Sequence, residues 1–170
     1  SAFGVAVLKR LAANPAVEGV TLLLSPTGKR CLVDETGLGP KDLAAFDPKV
    51  RLQDERDLGA AISSGSHRQD GMAVVPCSAG ALGRIAAGIS ESLVSRAADV
   101  CLKERRPLVL CLRETPLNRI HLENMLKLSR LGVTILPANP GFYNRPTQVE
   151  AMVDFIVARV LDQFGIANDL

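Results

Sequence analysis

Four short runs that are apolar but for Thr21 and Thr134, and do not alternate, constrain this chain more than any other feature: Val20–Leu24, Met72–Val75, Leu108–Leu112 and Val133–Leu136. A strand with one wet face alternates apolar and polar residues, whereas a strand covered on both faces has no reason to alternate. Helical patterning fills the stretches between them, at Val5–Ala13, Leu82–Ile89, Leu93–Glu104 and His121–Leu131. A weaker strand is predicted at Val50–Gln53, and an amphipathic helix over about Gln148–Phe164 closes the chain. Strand and helix in alternation predict an α/β protein, a doubly wound parallel sheet with helices on both faces. At 170 residues the chain fits one domain, spanning 1–170. In such a sheet the first strand is central and the turn after it cradles a phosphate, yet this sequence passes from Ser1 directly into a helix. The first strand is therefore expected before residue 1.

Twenty Lys and Arg against eighteen Asp and Glu leave a formal charge of +2, too small for a general nucleic-acid coat. No apolar run approaches the roughly 18–20 residues of a membrane span, and no signal-peptide pattern opens the sequence. The cysteines Cys31, Cys77, Cys101 and Cys111 are widely spaced, and three sit in apolar stretches as small hydrophobes would. Neither a disulfide framework nor a zinc site is expected, and a reducing cytoplasm is the natural setting. With only His67 and His121, a histidine-rich metal site is excluded.

Open α/β sheets bind ligands beyond the carboxyl ends of their strands. Those ends read Ser25-Pro26-Thr27-Gly28, Pro76-Cys77-Ser78-Ala79-Gly80, Arg113-Glu114-Thr115-Pro116 and Pro137-Ala138-Asn139-Pro140. Ser25 and Ser78 suit phosphate contact and helix N-capping equally. Arg96 and Lys103 lie seven residues apart on one predicted helix, about 10.5 Å along one face. Arg105 and Arg106 beyond them read as cations complementing the helix macrodipole. Arg159 falls beside Met152, Phe155 and Ile156 on a helical wheel, on the apolar face of the last helix, so it must reach solvent, pair with Asp162, or meet an anion. Tyr143, the only tyrosine, reads equally as a packing residue with a wet hydroxyl.

Taken together, the segments Ser64-Gly65-Ser66-His67-Arg68-Gln69-Asp70-Gly71-Met72 with Pro76-Cys77-Ser78, and Ser95-Arg96-Ala97-Ala98-Asp99-Val100-Cys101-Leu102-Lys103-Glu104-Arg105-Arg106, resemble the UbiX family of flavin prenyltransferases. Arg113-Glu114-Thr115-Pro116-Leu117, Phe142-Tyr143-Asn144-Arg145-Pro146 and Arg159-Val160-Leu161-Asp162-Gln163-Phe164 continue the likeness in the same order across essentially the whole chain. The resemblance implies a single flavoprotein domain of Rossmann- or flavodoxin-like fold. It implies transfer of a dimethylallyl group from dimethylallyl phosphate to N5 and C6 of reduced FMN, without a metal. The product, prenylated FMN, would go to a UbiD-type decarboxylase, and the family implies a homo-oligomer, a dodecamer.

Residue by residue, the resemblance assigns Arg96, Lys103, Tyr143 and Arg159 to the prenyl phosphate, with Arg96 and Lys103 also counted as catalytic. Glu114 and Glu35 match carboxylates near the flavin that would handle protons, although Glu35 reads equally as a solvated acid at a helix end. Ser25, Ser78 and Arg113 match flavin contacts; Ser64 and Ser66 fit the same rim, Ser64 the better, and Ser1 would trail the FMN phosphate turn. Ala81 stands where the family commonly has a threonine that meets the flavin, a departure worth about 0.5–1.5 kcal/mol of FMN affinity. Two rivals share the flavin site: a flavin-dependent cysteine decarboxylase and a non-catalytic FMN-carrying subunit. The first lacks its Pro-x-Met-Asn-x-x-Met clamp here, and the second would have no use for three phosphate-facing cations.

Overall fold

The computed structural model describes all residues, 1–170. In chain order the elements are α1 (Ala2–Ala13), β1 (Val20–Leu23), α2 (Pro26–Thr36), α3 (Pro40–Ala44), β2 (Val50–Gln53), a 3-10 turn (Ala61–Ser63), β3 (Met72–Cys77), α4 (Ala79–Ala87), α5 (Leu93–Lys103), β4 (Leu108–Leu112), α6 (Arg119–Arg130), β5 (Thr134–Pro137) and α7 (Val149–Asp162). All strand pairs are parallel, in one sheet of two strands and one of three, with helices between them: the α/β class expected from the apolar runs. The chain divides into two compact units, Ser1–Glu55 with Asn139–Leu170, and Arg56–Ala138. No helix is long and apolar enough to cross a membrane.

In the first unit β1 pairs with β2 from Val20↔Val50 to Leu23↔Gln53. Val5, Leu8 and Ala12 of α1 join Leu32, Leu43 and Val50 in its core. The apolar pattern does not reveal α2, because it buries only Leu32 and so has no stripe to read. Its ends specify it instead. Ser25 Oγ accepts from Gly28 N–H at 3.0 Å, Pro26 sits at the first turn, and Gly37 at φ 70° stops the helix in a conformation that penalises a side chain.

In the second unit β4 is central, flanked by β3 and β5. All five of its residues are buried, the physical cause of its unbroken Leu108-Val109-Leu110-Cys111-Leu112 run. Leu82, Ile85 and Ala86 of α4, Ala98 and Cys101 of α5 and Leu128 of α6 close on it. Each such leucine contributes roughly 1.5–3 kcal/mol through burial. The β3–β4 register shifts between Val74 and Cys77, around Pro76, which has no N–H to give the ladder.

The cysteines are all free thiols; Cys77, Cys101 and Cys111 are buried and Cys31 is half-buried. Burial pushes the Cys77 thiol up to about 12, with the nearby Cys111 adding to the effect, and burial alone pushes Cys111 up to about 11. A folded-state value raised above the unfolded one stabilises the neutral form fully below the ordinary thiol range, and that contribution is lost as pH climbs towards about 11–12. A thiol-specific colour reagent at pH 8 is expected to modify one cysteine quickly in the folded protein, Cys31, and all four after denaturation. Two or more fast thiols in the native state would contradict this burial.

Candidate functional site

The rim of the three-stranded sheet is set by main-chain bonds that run past the strand ends. Arg113 N–H donates to the Cys77 carbonyl at 2.9 Å, and Ala138 N–H to the Leu112 carbonyl at 2.8 Å. Ser78 and the Arg113–Glu114 pair therefore follow directly on paired positions of one edge, as parallel pairing requires. Ser78 Oγ accepts from Ala81 N–H at 3.2 Å, so it caps α4. That leaves its hydroxyl proton free to donate to a ligand. Glu114 is exposed, and its Oε1 accepts from Thr115 N–H at 3.2 Å.

Helix α5 carries the cations. Ser92 and Ser95 cap its start reciprocally: Ser95 N–H reaches Ser92 Oγ at 3.3 Å and Ser92 N–H reaches Ser95 Oγ at 3.2 Å. This fixes the first turn, one residue before Arg96. Arg96 Nε donates to the Ser63 carbonyl at 3.0 Å, and its Nη1 lies 3.2 Å from Asp99 Oδ2. Two turns on, Lys103 Nζ pairs with Glu104 Oε1 at 2.5 Å. A Cβ placed on Gly65 would lie 2.5 Å from that same Nζ. Arg96 and Lys103 thus meet one loop, Ser63 to Gly65, from one helix face, as their seven-residue spacing predicts. The hydrogen bond and charge of Lys103 hold the Glu104 carboxyl below the usual range, so that carboxylate stays ionised at neutral pH. In that loop the Ser64 and Ser66 hydroxyls are 2.9 Å apart.

The helix end holds a residue whose role the sequence pattern does not reveal. Arg105 lies at φ 55°, where an L side chain costs about 1–2 kcal/mol, and Arg106 N–H closes back on the Cys101 carbonyl at 2.8 Å. The Arg106 guanidinium then donates to the carbonyls of Gly65 at 2.7 Å and His67 at 2.8 Å. Its job is a long-range tether, beyond the macrodipole complement its position suggests. Only a fold can show this, because the partners lie 41 and 39 residues away.

The first unit holds the remaining predicted residues. Ser1 precedes α1 without a side-chain cap, and Glu35 lies in the last turn of α2. Ser25 is the α2 cap described above. Tyr143 is 75% exposed and packs edge-on against Phe155, with ring centroids 6.0 Å apart at 81°. Arg159 requires a correction to its placement on the apolar face. The buried stripe of α7 is Ile156, Val157, Ala158, Val160 and Leu161, and the Arg159 side chain is 58% exposed, 3.3 Å from Asp162. The charge escapes burial because Met152 and Phe155, its wheel neighbours, are themselves only half-buried. The pairing with Asp162 is the one that the sequence offered beside an anion.

Residues 18–161 match the family model described as "Flavoprotein". "Flavin prenyltransferase UbiX" of Halalkalibacterium halodurans is 49% identical over 149 residues, covering 88% of this chain and 69% of that protein. The chain belongs to the UbiX flavin prenyltransferases of the flavoprotein family. Among solved structures similar to this UbiX-family chain is a dodecameric FMN-dependent UbiX-like decarboxylase from Escherichia coli O157:H7. It is 49% identical with a TM-score of 0.93, over 98% of this chain and 88% of that one. AnUbiX (PadA1), solved in complex with FMN and dimethylallyl pyrophosphate, is 40% identical with a TM-score of 0.90, over 100% of this chain and 91% of its own. The fold class and family expected from the motifs are those found.

Proposed function

We propose that this chain transfers a dimethylallyl group from a dimethylallyl phosphate to N5 and C6 of reduced FMN. The observation carrying the reading is the convergence of Arg96 and Lys103, from one face of α5, on the hydroxyl-bearing loop Ser63–Ser66. That is a donor set suited to a phosphate, and a flavin carrier would not need it. The relatives in hand supply the substrates: one carries the flavin prenyltransferase name, and another was solved with FMN and dimethylallyl pyrophosphate.

The donors that follow the strand ends in each unit suit FMN in kind. Ser78 and Ser25 offer hydroxyl protons at helix N-termini, where phosphate and carbonyl oxygens are favoured, and Arg113 offers a planar cation at the next strand end. With Ser1 and Ser64 they are the proposed flavin contacts; Ser66, hydrogen-bonded to Ser64, supports that side of the loop. Ala81 contributes its N–H to Ser78 and no hydroxyl of its own. Reduced FMN, when bound, supplies the nucleophilic N5 and C6. Arg96, Lys103, Tyr143 and Arg159 are the proposed phosphate ligands, stabilising the dianion as the carbon–oxygen bond breaks. Glu114 and Glu35 are the proposed proton-handling carboxylates at N5 and C6.

By the same reading the protein works as a homo-oligomer, a dodecamer like its Escherichia coli relative, in a reducing cytoplasm that keeps its four thiols free, and passes its product to a UbiD-type decarboxylase. The direct test is anaerobic incubation with reduced FMN and a dimethylallyl phosphate, then mass spectrometry of the extracted flavin. A flavin heavier by one dimethylallyl unit is expected. Bound but unmodified FMN with both mono- and pyrophosphate donors would overturn the reading in favour of a carrier or a cysteine decarboxylase.

A further inference from the structure

Loop Ser63–His67 is tied to α5 and the turn after it through its main-chain carbonyls. Arg96 takes the Ser63 carbonyl at 3.0 Å, and Arg106 takes those of Gly65 and His67 at 2.7 and 2.8 Å through two different nitrogens of one guanidinium. Between these anchors Gly65 presents a bare Cα to the Lys103–Glu104 pair, so close that a Cβ would collide with it. The left-handed Arg105 turns the chain between Lys103 and Arg106, so both side chains reach the same loop. The fork of Arg106 is committed to carbonyls, which marks it as a residue acting through the loop rather than on a ligand.

We propose that Arg106 is a positioning residue: by clamping the Gly65 and His67 carbonyls it holds the Ser64-Gly65-Ser66 backbone against Lys103, so that the Ser66 hydroxyl and the Lys103 ammonium receive the prenyl phosphate as one preorganised set, with Ser64 turned to the flavin. The proposal rests on the prenyltransferase reading above. Two consequences separate it from a general structural role. Lys103 keeps its own place on α5 when the loop loosens, and the loop hydroxyl holds the phosphate both before and during bond breaking, so loosening the loop acts mainly on donor KM and less on kcat. A lysine at 106 keeps the charge and the stem but cannot bridge two carbonyls, so it does not restore the effect.

The test uses the FMN-loaded oligomer under anaerobic conditions with reduced FMN and dimethylallyl monophosphate. Arg106→Ala and Arg106→Lys are both expected to raise donor KM by roughly ten- to a hundred-fold, with kcat changed only a few-fold and FMN affinity, which Ser64 shares with several other contacts, lowered no more than a few-fold. Guanidinium ion at millimolar concentration is expected to lower KM again in Arg106→Ala but not in the wild type. Arg130→Ala, an exposed arginine at the end of α6, serves as the unaffected control. Wild-type KM in Arg106→Lys, or equal losses of FMN and donor binding in both variants, would overturn the clamp. Calorimetry with inorganic phosphate gives a readout independent of turnover. A wild type that binds phosphate more tightly than Arg106→Lys yet transfers no prenyl group would sink the prenyltransferase reading and keep the clamp; equal phosphate affinity in the two would sink the clamp.

Discussion

Replacing Lys103 with alanine is expected to slow prenyl transfer by about 10²–10³-fold while FMN remains bound. Lys103 is the last residue of α5, and its ammonium lies at the loop that carries Ser64 and Ser66. A phosphate leaving as a dianion gains charge in the transition state, and a fixed cation there counts more in the transition state than in the ground state. The fold should not notice the loss. Lys103 is nearly half exposed, its pair with Glu104 is between adjacent surface residues, and alanine is the better helix former. The flavin contacts proposed at Ser78 and Arg113 lie on strand ends, apart from this helix end. One complication can be separated experimentally: removing Lys103 strips the Glu104 carboxylate beside Gly65 of its paired cation, leaving only the weaker influence of Arg106. If that negative charge caused the loss, Lys103→Ala combined with Glu104→Gln would recover most of the rate. The expected recovery is at most a few-fold. Turnover of Lys103→Ala within tenfold of wild type would remove Lys103 from the phosphate set.

Arg96 and Lys103 are legible in the sequence because a helix repeats on one face every seven residues, and the structure puts both on one loop. Strand β4 was legible because burial on both faces leaves only one kind of residue at each position. The parts that escaped sequence reading escaped for physical reasons. Helix α2 buries a single leucine, so no periodic signal marks it, and its cap and glycine stop are short signals shared with ordinary turns. Arg106 depends on a backbone reversal at a non-glycine residue and on carbonyl partners some 40 residues away, neither of which leaves a local pattern. Arg159 shows the opposite error. A helical wheel assigns a face but not its depth, and a residue at the edge of the stripe can hold its charge in water beside Asp162.

The Glu114→Gln variant carries the second large effect, a fall in kcat of about 10²–10⁴-fold with little change in donor KM or FMN affinity. Glu114 follows Arg113 at the end of β4, on the strand-end rim where the flavin contacts are proposed. Its carboxylate accepts the Thr115 N–H, and a glutamine amide can keep that bond through its carbonyl oxygen, so the turn and the shape of the rim survive. The amide cannot take up a proton. Joining the dimethylallyl group to C6 must release the proton that C6 carried, and without a nearby base that proton has only water to go to. A variant that forms the first bond, at N5, but stalls before ring closure is therefore the expected signature. Rapid chemical quench followed by mass spectrometry and absorption spectra would detect it as flavin already heavier by one dimethylallyl unit, yet without the absorption of the closed-ring product. A uniform slowing of both bonds would assign Glu114 to substrate placement. Full activity would move the proton chemistry elsewhere, and Glu35 would then be the carboxylate to replace next.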